Sequence, residues 1–316
     1  MKPDVSVIIA TYNVEAYIEA AIQSALAQTD VMVEVIAVDD CSTDNTWQII
    51  SQHPDDRVKA YRLPQNGGPS AARNHAISHA EATWIAVLDG DDTMAPDRLS
   101  LCLARAQAMQ AQMVVDNLLE MHENNGKLTQ GNPMYRLDTL GNTLSLEEFI
   151  AGNSAFLGGE SLGYLKPIIQ RGFLATHQLS YDPEIRIGED YLLLASVLAE
   201  GAICAIEPKA GYNYTIREGS ISHRLTLADI ERIEACDEKF LRKYPLDTAA
   251  QNAQYRRSKK LKEAKAFTML VHGIKHKQPA NILGALRISP AALIYLNAPI
   301  VKRIRQCFLG GRRGNG

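Results

Sequence analysis

Residues 5–40 read VSVIIATYNVEAYIEAAIQSALAQTDVMVEVIAVDD, and their pattern changes period twice. VSVIIA (5–10) and VEVIAVDD (33–40) are β-branched apolar runs, whereas between them Tyr17, Ile18, Ala21, Ile22, Ala25 and Leu26 recur at helical spacing. Strand, helix and strand in that order make a β-α-β unit. The alternation continues: the CSTDNT cluster (41–46) opens a helix, VKAYRL (58–63) reads as a strand, and a helix runs from about Ser70. WIAVL (84–88) is a further strand, and Pro96 suits the first position of the next helix. Strands that are apolar throughout and alternate with helices predict a mostly parallel, Rossmann-like α/β sheet covered on both faces. In such sheets ligands bind beyond the carboxyl ends of the strands.

Three polar clusters fall at those ends: TYN (11–13), DDCSTD (39–44) and DGDD (89–92). Each also has a plain structural reading. Asp39 and Asp40 suit a helix cap, and Asp89, Gly90, Asp91 and Asp92 suit a turn. Carboxylates crowded at one strand end nevertheless repel, and a cation or hydrogen-bond donor among them relieves the repulsion. NGGPSAARNHAI (66–77) adds Gly67, Gly68 and Arg73 near a helix start, where backbone N–H groups and a guanidinium can meet a phosphate. The plainer reading of Arg73 is an exposed helix arginine.

The chain has 316 residues, 46% of them hydrophobic, enough for one large α/β domain or two smaller ones. Its first apolar run, six residues long, is too short for the apolar region of a signal peptide, so a cytoplasmic protein is expected. The five cysteines are scattered without a C-x-x-C pair, which argues against a disulfide framework and a zinc site.

A net charge of −3 conceals an asymmetry, because residues 255–316 hold 14 lysines and arginines against one acidic residue, Glu263. Such a surface suits an anionic partner, either nucleic acid or the cytoplasmic leaflet of a membrane. YRRSKKLKEAKAFTMLVHGIKHK (255–277) interleaves those cations with Leu261, Ala264, Phe267, Leu270 and Val271 in an amphipathic helical pattern. ILGALRISPAALIYLNAPIV (282–301) approaches spanning length, but Arg287, Pro290, Asn297 and Pro299 interrupt it, which favours lying in the interface over crossing. The alternative is a solvated helical hairpin packed on the rest of the protein.

Taken together, VSVIIATYN, VIAVDDCSTDNT, NGGPSAARNHAI and VLDGDDTMAPDRL resemble, in order and spacing, the N-terminal motifs of the family 2 glycosyltransferases. These are inverting enzymes with the GT-A fold, among them bacterial exopolysaccharide and cell-surface polysaccharide enzymes such as those of succinoglycan synthesis. The resemblance is close over residues 4 to about 110. It is weaker to about residue 223, through IRIGEDYLLLASVL and YNYTIREGSIS, and absent from the last third. It implies a catalytic domain over residues 1–225, and composition makes 226–316 a helical, basic C-terminal region.

The resemblance also implies roles. Asp91 matches a direct ligand of Mg²⁺ or Mn²⁺, and Asp89 a residue near the ribose and a metal-bound water. Asp92 matches a supporting or sugar-hydroxyl contact. Tyr12, with the Ala10 and Thr11 backbone, would pack on the base, Asp40 would accept its ring N–H, and Arg73 would brace the base or phosphate side. Glu189 and Asp190 match the acidic pair that supplies the catalytic base, Asp190 as the base and Glu189 orienting it; two acids opening a helix are also common on structural grounds alone. Arg217 and His223 are candidates to approach the diphosphate or the metal. Lys166 and Arg171 are read as solvated cations outside the site.

The implied reaction moves a sugar from a nucleotide diphosphate sugar, with uridine diphosphate as the expected carrier, to a saccharide acceptor. A basic tail fits a lipid-linked acceptor at the cytoplasmic face of the inner membrane, with no nucleic-acid partner. Two rivals are a sugar-nucleotide nucleotidyltransferase and a non-catalytic nucleic-acid-binding protein. The first is disfavoured by ATYNVEAYI, which is no glycine-rich basic loop, and the second by the acidic domain that carries the aspartates and by a tail without a reader motif.

Overall fold

A computed structural model describes residues 2–124, 127–153, 161–185, 187–216 and 226–296. The chain opens with the expected β-α-β unit: β1 (Val5–Thr11), α1 (Ile18–Leu26) and β2 (Val33–Asp39), with the two strands parallel. Then come α2 (Thr46–Ser51), β3 (Val58–Arg62), α3 (Pro69–His79) and β4 (Trp84–Asp89). These strands form a parallel half-sheet in the order β3-β2-β1-β4.

Alternate side chains of these strands point to opposite faces, and each face has its own core. Val5, Val7, Ile9, Val35 and Leu88 pack with Ile18, Ile22 and Ala25 of α1. Ile8, Ile36, Val38, Ile85 and Val87 pack with Ala72 and Ala76 of α3. Burial on both faces explains why β1, β2 and β4 read as nearly continuous apolar runs, with the buried Ser6 and Glu34 hydrogen-bonded to each other.

The short β5 (Thr93–Met94) precedes α4 (Arg98–Ala108). Pro96 therefore lies before the helix rather than in its first turn, because its carbonyl accepts the Thr29 backbone N–H at 2.8 Å. The later strands are β6 (Met113–Asn124), β7 (Lys127–Pro133), β8 (Ile168–Gln170) and β9 (Cys204–Ile216), interspersed with α5 (Leu146–Ala151), α6 (Arg171–Thr176) and α7 (Glu189–Ala199). β8 pairs antiparallel with both β4 and β6, which extends the sheet past β4, while β9 runs parallel to β6 and antiparallel to β5. β8 pairs with the first half of β4, so the residues just before β8 reach the carboxylate-rich end of β4, where Tyr212 of β9 also arrives.

The C-terminal helices are α8 (Leu227–Lys243), α9 (Thr248–Lys275), α10 (Pro279–Ile288) and α11 (Ala292–Tyr295). Phe240 and Tyr244 of α8 and its following turn, with Ala250 and Ala253 of α9, belong to the main core. The second half of α9 folds back against α10 and α11 around a small core of its own, formed by Ala266, Leu270, Ala285 and Ala292. No described helix is long and apolar enough to cross a membrane.

Candidate active site

The three aspartates at the end of β4 occupy three different environments. Asp89 Oδ1 accepts from Arg73 Nη2 at 2.7 Å, and its Oδ2 lies 2.8 Å from Lys166 Nζ. Burial acts to raise the Asp89 carboxyl, but Lys166 and Arg73 outweigh it and hold the group well below the usual carboxylate range. Asp92 is turned inward, where its Oδ2 accepts from the Tyr212 hydroxyl at 2.8 Å and its Oδ1 from the Thr215 N–H at 2.7 Å. Burial, then the charges of Asp89 and Asp91, push the Asp92 carboxyl well up. Asp92 thus anchors the turn to β9, and Asp91 is left partly exposed at its tip.

A second pair of acids converges on the same point. Gly188, with φ of 89°, makes the left-handed turn into α7, so Glu189 and Asp190 fall in its first turn. Arg73 Nη1 donates to Glu189 Oε1 at 3.0 Å and to Asp190 Oδ1 at 2.9 Å, and Lys166 Nζ donates to Asp190 Oδ2 at 3.1 Å. Each cation therefore bridges Asp89 and Asp190. Burial, then the Asp190 charge, raise the Glu189 carboxyl above its ordinary value against the pull of Arg73. Burial opposes the charged form of Lys166, but Asp190 and Asp89 outweigh it and push the ammonium pKa up.

These positions differ from expectation at two residues. Arg73, expected to brace the base or phosphate side, is only 4% exposed and sits among three carboxylates, its guanidinium carbon 5.2 Å from the centre of the Tyr181 ring. Lys166, read as solvated, is 3% exposed and part of the cluster. Its carbonyl accepts from Arg98 Nη2 at 2.7 Å, and Arg98 is itself fixed by Asp116. The available signal was its position: a lysine directly before the apolar PII (167–169) has to find a carboxylate if that strand is buried. Arg171 stays outside, donating to the Ala82 carbonyl at 2.8 Å.

The ends of β1 and β2 form a neighbouring wall. Asp40 Oδ1 and Oδ2 accept the backbone N–H groups of Gly67 and Gly68 at 2.7 and 2.8 Å, and its own N–H donates to the Thr11 carbonyl at 2.8 Å. A Cβ on Gly67 would lie 2.8 Å from Ala71 Cβ, so this loop requires glycine there. Each Asp40 oxygen keeps a second lone pair for a ligand. Thr11 is buried, Ala10 half-buried, and the Tyr12 side chain exposed. Arg217 and His223 lie outside the described residues.

No three His, Cys, Asp or Glu side chains gather into a closed cage among the described residues. Mg²⁺ and Mn²⁺ sites that act on phosphates typically need one or two carboxylates and take their other ligands from phosphate and water. The partly exposed Asp91 fits that chemistry, whereas each oxygen of Asp89 already meets a cation, Arg73 or Lys166.

The family model for glycosyl transferase family 2 matches residues 6–172. The succinoglycan biosynthesis protein ExoO of Rhizobium meliloti (strain 1021) is 46% identical over 96% of this chain and 87% of its own length. This chain belongs to glycosyl transferase family 2. A second relative of the family 2 chain, the ExoU protein of the same organism, is 33% identical over 82% of the chain and 76% of its own length. Among solved structures, S. aureus TarS 1-349 in complex with UDP-GlcNAc superposes with a TM-score of 0.67 at 22% identity, covering 92% of this chain and 81% of that one. That likeness shows the fold, the GT-A arrangement expected from the motifs. Membership makes the chain a glycosyltransferase and decides against the nucleotidyltransferase reading.

Proposed function

We propose that this transferase moves a sugar from a UDP-sugar to a saccharide hydroxyl, with inversion at the sugar C1, in bacterial exopolysaccharide or cell-surface polysaccharide synthesis. The observation that carries the reading is the meeting of Asp89 with Asp190, contributed by distant parts of the sequence and joined by the same two cations. One carboxylate belongs to the donor side and the other to the acceptor side. The succinoglycan roles in the names of ExoO and ExoU support the polysaccharide context, and the UDP and UDP-GlcNAc complexes of TarS support the carrier.

In this reading Tyr12 packs on the base, flanked by the Ala10 and Thr11 backbone, and Asp40 accepts the ring N–H. Asp190 takes the proton from the acceptor hydroxyl as its oxygen bonds to C1 and the bond from C1 to the phosphate oxygen breaks, releasing UDP. Glu189 orients the base through their shared partner Arg73. Asp91, with Asp89 and His223 as further candidates, would hold Mg²⁺ or Mn²⁺, which when bound offsets the charge growing on the diphosphate. A mannosyltransferase from Pyrobaculum calidifontis, solved with GDP-Man and Mn²⁺, shares the fold at a TM-score of 0.62 and 16% identity. Arg217 would approach the diphosphate.

In the same reading residues 1–225 carry the catalytic chemistry and 226–316 are a basic C-terminal region that starts with core-packed α8 and α9, and the hairpin of α9 with α10 and α11 lies against the anionic cytoplasmic face of the inner membrane and brings the enzyme to a lipid-linked acceptor. Ile274, Leu283, Ile288, Leu293 and Ile294 are exposed there beside Lys275, Lys277 and Arg287. The test is a panel of nucleotide sugars assayed for slow, metal-dependent hydrolysis. Release of UDP from a UDP-sugar supports the reading, and release from GDP- or dTDP-sugars alone would replace the carrier.

A further inference from the structure

We propose that Lys166 is a positioning residue for the base, clamping Asp190 to the donor-side carboxylate Asp89. The inference rests on the role of Asp190 given above. Lys166 Nζ lies 2.8 Å from Asp89 Oδ2 and 3.1 Å from Asp190 Oδ2, so one ammonium spans the two carboxylates.

Three features make this a built contact rather than a chance pairing. Lys166 is 3% exposed, and its backbone is pinned by the Arg98 guanidinium, itself buried against Asp116. It acts opposite Arg73, which reaches the other oxygen of each carboxylate, Oδ1 of Asp89 and Oδ1 of Asp190. Asp190 is thus gripped from two sides, and rotation of its carboxylate breaks a charge-assisted hydrogen bond. Finally, the two bridged groups come from different layers of the fold, Asp89 from the end of β4 and Asp190 from the start of α7. Lys166 stands two residues before β8, the strand that pairs with β4, and so fixes the distance between strand end and helix start.

A clamp of this kind orders the base without touching the donor. Removing the ammonium while keeping the aliphatic stem leaves Tyr12, Asp40 and Asp91, none of which Lys166 is placed against, to hold UDP, so binding weakens less than the step that needs an oriented base slows. A lysine that served only to fill the core would show neither that split nor rescue by another cation.

The experiment combines Lys166→Met, Lys166→Arg, Asp190→Asn and the Lys166→Met/Asp190→Asn double variant in the full chain. Calorimetry with UDP and Mn²⁺ reads binding, and hydrolysis of the best UDP-sugar reads rate. Lys166→Met should bind UDP within about threefold of the unsubstituted protein yet hydrolyse at least about tenfold more slowly, with Lys166→Arg recovering much of the loss. The double variant should be no slower than Asp190→Asn alone, because residues acting as a unit are not additive. A folded Lys166→Met variant with an unchanged rate, or a double variant slowed by the full product of the two single effects, overturns the proposal. Urea unfolding of the same four proteins reads the contact without any activity: Asp190→Asn should restore part of the midpoint lost in Lys166→Met. Additive midpoints also overturn it. Absence of hydrolysis by the unsubstituted chain would instead count against the proposed UDP-sugar donor, with the unfolding cycle still deciding whether Lys166 and Asp190 are coupled.

Discussion

The guanidinium carbon of Arg257, on the long helix α9, lies 3.9 Å from the centre of the Tyr191 ring, and Tyr191 directly follows Asp190. Arg257 also forks onto Asp237 of α8 and donates to the Asn153 carbonyl at 2.7 Å. The helix that begins the basic region therefore props the helix that carries the acidic pair.

Truncating this cation leaves Asp237 buried without its partner. Arg257→Ala should lower the unfolding free energy by about 3 kcal/mol or more, the usual cost of stranding one member of a buried pair. The exposed Lys260→Ala should change it by less than about 0.5 kcal/mol. Urea unfolding followed by circular dichroism measures both, and equal small effects would contradict the packing described for α9.

Glu34 gives a pH dependence far from the site. Burial acts to raise its carboxyl, but Lys59, the Ser6 hydroxyl and the Glu81 N–H outweigh burial and set it below its ordinary value of 4.5. A depressed carboxyl stabilises the fold fully above its unfolded value, and that contribution is lost as pH falls through the folded value. Glu34→Gln should therefore cost about 2 kcal/mol at neutral pH, with the difference shrinking below about pH 4.5. A difference independent of pH would show that the ionised carboxylate contributes nothing.

Much of the donor half was legible because its strands are buried on both faces. Val5, Val7 and Ile9 face one core and Ile8 the other, so β1 is apolar apart from Ser6, which is buried against Glu34, and the cluster of polar residues from Thr11 marks the strand end. Lys166 was legible only as a cation ahead of a buried strand that needs a carboxylate, because its partners, Asp89 and Asp190, lie far from it in the sequence on either side. Arg73 was visible as a cation near a glycine loop, but its partners Glu189 and Asp190 lie far along the chain. In α9 the exposed cations hide the inward-facing Ala253, Arg257 and Ala264, so its composition suggests a solvated face while its first half is core. The reading of the hairpin as packed on the domain holds for that half, and the exposed apolar residues gather beyond it.

The membrane reading turns on those residues. A chain cut near Pro245 would lose Ala250, Ala253 and Arg257 from the core, so point substitutions test it more cleanly. Lys275→Glu with Lys277→Glu should weaken binding to anionic vesicles in flotation assays, since each cation near such a surface contributes about 1 kcal/mol. Ile274→Ser with Leu283→Ser should weaken it at high salt as well. No preference of the unsubstituted protein for anionic over neutral vesicles would leave the hairpin as a solvated structural element.

Donor binding should depend on a divalent ion through the tip of the β4 turn. Calorimetry with UDP should show affinity that falls at least about tenfold on adding chelator and in Asp91→Ala. Equal affinity with and without metal would remove Asp91 from that role.

Asp190→Asn measures the central claim most directly, because the amide keeps the shape of the side chain and removes the proton acceptor. The variant should bind UDP in the presence of Mn²⁺ within about threefold of the unsubstituted protein, with transfer or hydrolysis slowed by roughly 10²-fold or more. A folded Asp190→Asn protein that turns over its UDP-sugar at the unsubstituted rate would contradict the account and move the base to another residue, Glu189 first.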